Sequence, residues 1–348
     1  MPASIGPDLE DVPHPRTRSL LIGHSEAERS FADAIASSRL HHAWLIGGPE
    51  GIGKATLAYR VARTLLAGDA ERSGQGLSVD PSGRTARQIA AGAHPNLIVL
   101  DLEAASADVE RPPAKTISVK TTRRALAFFG TTAANAGHRV MIVDAVEDLT
   151  LQAANALLKT IEEPPPRSTI LLVSHAPQRV LPTIRSRCRK LDLNPLSEAV
   201  VLEVLGSLDG AGGEGGRELL RRAAEGADGS VGRALTLLDP KRQAILDEAA
   251  ALLAALPDLD MLRVLGLAEK VADRRAEGVF ELALDAVQHW AAERVRANAA
   301  AGPARLAPLA ELCEKVADAA RSVETYNLDR RPFIVSMFGD LAEVVRAA

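Results

Sequence analysis

The sequence predicts an α/β domain, a parallel sheet covered by helices, followed by a small helical unit and a larger helical domain. Three observations carry this. Short apolar runs alternate with helical patterns through the first half of the chain. One of those runs ends in a glycine-rich loop that opens a helix. Beyond Asn194-Pro195-Leu196 no further strand pattern occurs.

Residues 1–17 carry Pro2, Pro7, Pro13 and Pro15 and little to bury, so they are expected to be an unstructured lead-in. From Ser25 to Ser38, Ala27, Phe31, Ala34 and Ile35 share one helical face. Ala43–Ile46 reads as a buried strand. Lys54–Leu66 reads as a helix with Leu57, Val61, Ala62 and Leu65 on one side. Residues 67–85, rich in Gly, Ser, Asp and Arg, read as a loop. Three more apolar runs follow at Asn96–Leu100, Val140–Asp144 and Ile170–Ser174, with helical patterns between them. Thr150 is placed to cap a helix over Leu151–Glu163, whose expected buried stripe is Leu151, Ala154, Leu157, Leu158 and Ile161. Pro164-Pro165-Pro166 stops it. A last short strand is expected at Arg189–Leu193. Residues 197–239 then read as a small helical unit interrupted by a flexible run, Gly206–Gly216. Residues 241–348 read as long Ala/Leu helices broken at Gly302-Pro303. The expected domains are therefore 18–194, 195–240 and 241–348.

The bulk properties narrow the function classes. The apolar fraction is 47% and the charged fraction 25%, as in globular proteins that bury a core. A net charge of −4 argues against tight nucleic-acid binding by a global positive field, while leaving room for a local basic face. The two cysteines, Cys188 and Cys313, cannot build a disulfide framework or a four-thiolate zinc site. No apolar run approaches a membrane span, and the N-terminus lacks a signal-peptide pattern, so the cytoplasm is the expected compartment.

The chemistry concentrates in Gly48-Pro49-Glu50-Gly51-Ile52-Gly53-Lys54-Ala55. Its spacing is that of a phosphate-binding loop, whose backbone N–H groups curl around phosphates while the lysine reaches the outer ones. The final position should carry a hydroxyl for Mg²⁺, but Ala55 has none, and Thr56 comes one residue late. Gly48, Gly51, Gly53, Lys54, Thr56, Asp144 and Ser174 form the candidate nucleotide site. Asp144 ends an apolar strand where a Mg²⁺-holding carboxylate belongs; the alternative is a strand-end Asp capping the next turn. Ala145 stands where hydrolytic relatives place a general base, and Glu147 is three positions from Asp144. Ser174, followed by His175, either senses a γ-phosphate or is a satisfied strand-end polar group. Arg185-Ser186-Arg187-Cys188-Arg189-Lys190 is either a solvated basic face or the source of an arginine finger offered to a neighbour.

Several stretches together carry a family resemblance. Leu40-His41-His42-Ala43-Trp44-Leu45, the glycine loop, Ala154-Asn155-Ala156-Leu157-Leu158-Lys159-Thr160-Ile161-Glu162-Glu163-Pro164-Pro165 and Ser186-Arg187-Cys188 resemble bacterial clamp-loader subunits of the AAA+ class over about residues 18–240. The resemblance implies a P-loop AAA+ domain, a helical lid and a C-terminal helical collar that assembles subunits. Within the family the chain is more similar to the non-hydrolysing delta-prime type of DNA polymerase III than to the hydrolysing gamma/tau type. Ala55, Ala145 and Gly232 each stand where the ATPase subunits carry a catalytic group, Gly232 at the position of the sensor-2 arginine. Arg233 is one position off that place, while Arg187 is retained.

By this resemblance the chain is a stator in a hetero-pentamer with gamma/tau and delta subunits, which loads a sliding clamp on primed DNA. The resemblance implies that Arg187 acts in trans on a neighbour's ATP. No cofactor is required in cis, although ATP and Mg²⁺ at the degenerate loop stay open. The family often carries a four-cysteine zinc module after the first loop helix; residues 67–95 have no cysteine, so no zinc is expected. The rival readings are an active gamma/tau-like ATPase and a DNA-binding repair adaptor with a vestigial loop.

Overall fold

The computed structural model describes residues 14–72, 76–109, 114–130, 137–208, 214–272, 279–297, 303–325 and 328–347. They divide into two compact units, one through Leu235 and one from Thr236.

In the first unit, β1 (Ala43–Gly47), β2 (Leu97–Asp101), β3 (Arg139–Asp144), β4 (Ser168–Ser174) and β5 (Arg189–Asp192) pair in parallel in the order β2-β3-β4-β1-β5. Between them run α1 (Ser25–Ala36), α2 (Lys54–Leu66), α3 (Arg84–Ala90), α4 (Leu102–Ser106), α5 (Val119–Gly130), α6 (Leu151–Glu162) and α7 (Pro182–Arg185). Successive strand side chains point to opposite faces. Leu45, Met141, Val143, Ile170 and Leu172 join a core with Phe129, Leu157, Ile161, Ile184 and Cys188 from α5, α6 and the α7 region. Trp44, Ile46, Val140, Ile142, Leu171 and Val173 join the opposite core with Phe31, Leu57, Val61 and Ile89 from α1, α2 and α3. Helices cover both faces, which is why the inner strands read as unbroken apolar runs rather than alternating ones.

Thr150 caps α6 as expected, its Oγ1 accepting from the Ala153 amide at 3.3 Å. Ala154, Leu157 and Ile161 are buried, but Leu151 is 60% exposed. As the first helical residue it lies ahead of the packed stripe, so its place in that stripe is corrected. The lead-in also ends earlier than expected. The Thr17 amide closes a turn on the His14 carbonyl at 2.8 Å, and His14 packs edge-on against Tyr59 with ring centroids 5.9 Å apart. Buried Arg63 of α2 donates to the Arg16 and Arg18 carbonyls, pinning the strap. Residues 1–13 lie outside the described residues.

The stretch 67–85 holds more structure than the expected loop. Asp69–Glu71 forms a 3-10 turn and Arg72 bridges Val79 in antiparallel fashion. The Glu71 carboxylate accepts from Thr85 Oγ1 at 2.6 Å, the Thr85 amide at 2.9 Å and the Gly68 amide at 3.3 Å. Buried Leu77 caps the second core, and its carbonyl accepts from Thr64 Oγ1. Carboxylate hydrogen bonds thus close the segment.

Beyond β5 the described residues are helical: α8 (Glu198–Gly206), α9 (Glu214–Glu225) and α10 (Val231–Leu238). The expected flexible run Gly206–Gly216 shortens from both ends, because Gly206 closes α8 and Gly215 and Gly216 lie in α9; residues 209–213 are outside the described set. The second unit comprises α11 (Pro240–Ala254), α12 (Met261–Ala272), α13 (Val279–Ala297), α14 (Pro303–Thr325) and α15 (Arg330–Ala347) around Leu252, Leu267, Phe280, Phe338 and Leu341. Pro303 opens α14, where a missing amide costs nothing.

The Glu71 hub predicts that Glu71→Ala lowers stability by about 1–3 kcal/mol, since it strands the donors of buried Thr85. Hydrogen bonds from the Thr85 hydroxyl and amide hold the Glu71 carboxyl below its ordinary value of 4.5. Its contribution is complete above that value and fades as pH falls through the lower folded one. Thermal melts of both proteins should therefore converge in acid. Parallel melting curves at every pH would remove the hub.

Candidate functional site

Parallel pairing lines up three strand ends. Gly47 of β1 sits opposite Ser174 of β4, and β4 in turn pairs with β3, which ends in Asp144. The loop after β1, Asp144 and Ser174 therefore share the carboxyl edge of the sheet, where ligands bind in open α/β folds. Gly48, Gly51 and Gly53 have φ of +138°, +72° and +102°, so the loop follows a path that other L-residues rarely adopt. His24 Nε2 lies 2.7 Å from the Ile52 carbonyl and braces the loop from behind.

The loop is closed on itself. Lys54 is buried, and its Nζ donates to the Pro49 carbonyl. Burial lowers the Lys54 ammonium to about 8, against the opposing pull of Asp144, Glu50 and Glu147. The start of α10 lies against the outside of the loop. Ser230 Oγ donates to the Glu50 carbonyl at 2.8 Å, and the Gly232 amide donates to the Gly51 carbonyl at 3.0 Å. A Cβ on Gly232 would stand 3.0 Å from Gly51 Cα, tight enough that the loop would have to give. Ser230 also caps its own helix through the Arg233 amide at 3.1 Å. Arg233 itself pairs with Asp228 at 3.3 Å.

Two carboxylates stand near the loop, Asp144 and Glu147. Asp144 is pushed up by burial and by Asp101 beside it in register, and held back by His175 and Lys54. Ser174 is fully buried and donates to Glu147, which also accepts from the Ala176 amide at 2.8 Å. Burial alone would raise Glu147, but these bonds outweigh it and lower its value. Thr56 is half-buried in the first turn of α2 and makes no side-chain hydrogen bond to the other members among the described residues. Among those residues no group of three or more His, Cys, Asp or Glu is placed to hold a metal ion. Nor is any helix among them long and apolar enough to cross a membrane.

Ala55 offers no hydroxyl, Lys54 is spent on a loop carbonyl, and Ser174 is spent on Glu147. The structure gathers Gly48, Gly51, Gly53, Lys54, Asp144 and Ser174 at one edge and leaves Thr56 unconnected. Glu147 and Ser230 are the contributors that motif spacing does not flag. For Ser230 the signal is an N-cap serine just before an apolar helical run.

Arg187 lies elsewhere, just beyond α7 and before β5. Its side chain is 42% exposed; Nε meets Glu162 Oε1 at 2.9 Å and Nη1 donates to the Thr183 carbonyl at 3.0 Å. Neighbouring Cys188 is buried, which pushes its thiol up to about 12 and makes it a packing residue.

Comparison with known proteins bears on this arrangement. The chain is 39% identical over 147 residues to DNA polymerase III subunit delta' of Pseudomonas aeruginosa, covering 42% of this chain and 41% of that one. It is 32% identical over 279 residues to subunit tau of Salmonella typhimurium, covering 77% of this chain and 40% of that one. The chain thus spans about two fifths of the length of each. Among solved structures, a gamma subunit-related protein of Thermotoga maritima aligns over 92% of this chain and 98% of that one at 16% identity, with a TM-score of 0.39. The Holliday junction branch migration motor RuvB of Thermotoga maritima aligns over 74% of each chain at 16% identity and a TM-score of 0.40. At those scores neither adds to the fold described above. The family model described as DNA polymerase III, delta subunit matches residues 23–197, half of the chain, and the protein belongs to that family of bacterial clamp-loader subunits.

Proposed function

We propose that this chain is a non-hydrolysing, delta-prime-type stator of a replicative clamp loader, working in the cytoplasm. Gamma/tau and delta subunits would complete a hetero-pentamer that loads a sliding clamp on primed DNA. The observation that supports this reading most is the contrast between its two phosphate-related features. Its own loop is closed by Lys54, Ser230 and Gly232 and lacks the groups at positions 55 and 145. Arg187, by contrast, presents an ordered and partly exposed guanidinium. A planar fork that stays charged is suited to the phosphates of a neighbouring subunit. In this reading the helices of 241–348 serve as the collar, and neither nucleotide nor zinc is required in cis.

A second reading, an active gamma/tau-type ATPase, is favoured by the identity to subunit tau over 77% of the chain. Hydrolysis separates the two. The purified chain with Mg²⁺ and primed DNA should show no ATP turnover above background. Turnover that Lys54→Ala abolishes would establish the motor instead.

Arg187→Ala should leave assembly intact while slowing hydrolysis at the one neighbouring site it serves by about 10³-fold or more. Single-turnover hydrolysis in the assembled complex reads this directly, and an unchanged rate would remove the finger.

Lys54 supplies a test on the lone chain. Its folded value of about 8 lies below the ordinary 10.5, so the unfolded state binds more protons between those values. Burying the ammonium therefore destabilises fully below the folded value, and stability rises with pH across the window. Lys54→Met should raise the melting temperature at pH 7, with the gain shrinking towards pH 10.5. A variant that melts lower at pH 7 would mean the lysine is needed to hold the loop.

A further inference from the structure

We infer that Glu162 is a positioning residue for Arg187, holding the guanidinium ready for a phosphate supplied from outside the chain. The inference rests on the trans-acting reading of Arg187 above. A guanidinium carries five N–H donors, one on Nε and two on each Nη. Glu162 takes the Nε side at 2.9 Å, and the Thr183 carbonyl takes Nη1 at 3.0 Å, with Ser186 Oγ at 3.4 Å from the same nitrogen. Nη2 is thus the nitrogen left without a hydrogen-bond partner among the described residues, with its two donors available for an incoming oxyanion.

The two partners are fixed to a common base. Glu162 is the last residue of α6, one past buried Ile161. The Ile161 carbonyl lies 2.9 Å from His42 Nε2, which ties this helix end to the residue just before β1. Arg187 sits between buried Ile184 and buried Cys188, and both of these pack in the same core as Leu157 and Ile161. The pair therefore bridges two elements already held by one hydrophobic cluster. Little further ordering is needed beyond the two side chains. An exposed pair of this kind contributes little to stability, so its orienting effect is what a variant should reveal.

Five proteins assembled with gamma/tau-type ATPase subunits and delta test this: wild type, Glu162→Ala, Arg187→Ala, the double variant and, as the conservative control, Glu162→Gln. Single-turnover hydrolysis at the neighbouring site that Arg187 serves is measured across ATP concentrations. Glu162→Ala is expected to lower kcat about two- to fivefold with KM for ATP little changed, because a mispositioned finger loses transition-state contact. Glu162→Gln, which keeps an acceptor, should lie between. In the Arg187→Ala background the Glu162 change should have no further effect, a non-additivity that a merely structural role would not produce. If Arg187→Ala leaves turnover unchanged, the finger reading fails and the positioning role with it. If Arg187→Ala slows turnover but Glu162→Ala matches wild type, or slows it equally with and without Arg187, the finger stands and the role of Glu162 is overturned.

Discussion

Parallel pairing of β3, β4 and β1 is the constraint on which the rest of this protein depends. A parallel ladder sends every strand end to the same edge. The loop at Gly48–Lys54, Asp144 and Ser174 meet there because Gly47 lies opposite Ser174 and β4 also pairs with β3. The two hydrophobic cores enforce the register. A slip of one residue would swap Trp44 and Ile46 with Leu45, driving each set into the wrong helical layer.

At that edge the molecule settles its polar groups among themselves. Lys54 bonds Pro49, Ser174 bonds Glu147, and Ser230 and Gly232 bond the carbonyls of Glu50 and Gly51. Buried polar groups need partners, and a phosphate would satisfy many of these same donors. Here the chain supplies the partners itself. Gly232 matters to this closure through what it lacks, since any Cβ at that position would crowd Gly51. A position where hydrolytic relatives are expected to carry an arginine thus becomes a site of close backbone approach.

The face bearing Arg187 follows the opposite rule. Its apolar neighbours Ile184 and Cys188 are buried, while the guanidinium remains partly in solvent on two acceptors. It is this partly exposed guanidinium on which the proposed role in trans rests. The closed loop and the partly exposed guanidinium are compatible in one molecule because α2, which follows the loop, and α6 and α7, which flank Arg187, draw on different cores of the same sheet.

The sequence by itself determined the layering and the chemical inventory. Apolar runs, helical periodicity, the glycine spacing, the Thr150 cap and the absence of groups at Ala55 and Ala145 are local properties, legible without coordinates. Even there the limits were local: Leu151 fits the helical period but lies too near the helix start to be covered. The structured strap at residues 14–18 and the Glu71 hub were not legible, because each depends on partners distant in sequence, Arg63 and Tyr59 for the first and Thr85 for the second. Only the tertiary structure decided that Glu147 would engage Ser174, that Gly232 would rest on Gly51 and that Glu162 would meet Arg187. Those pairings span tens of residues or more, and they arise only once the sheet and its two cores have set the distances between helices.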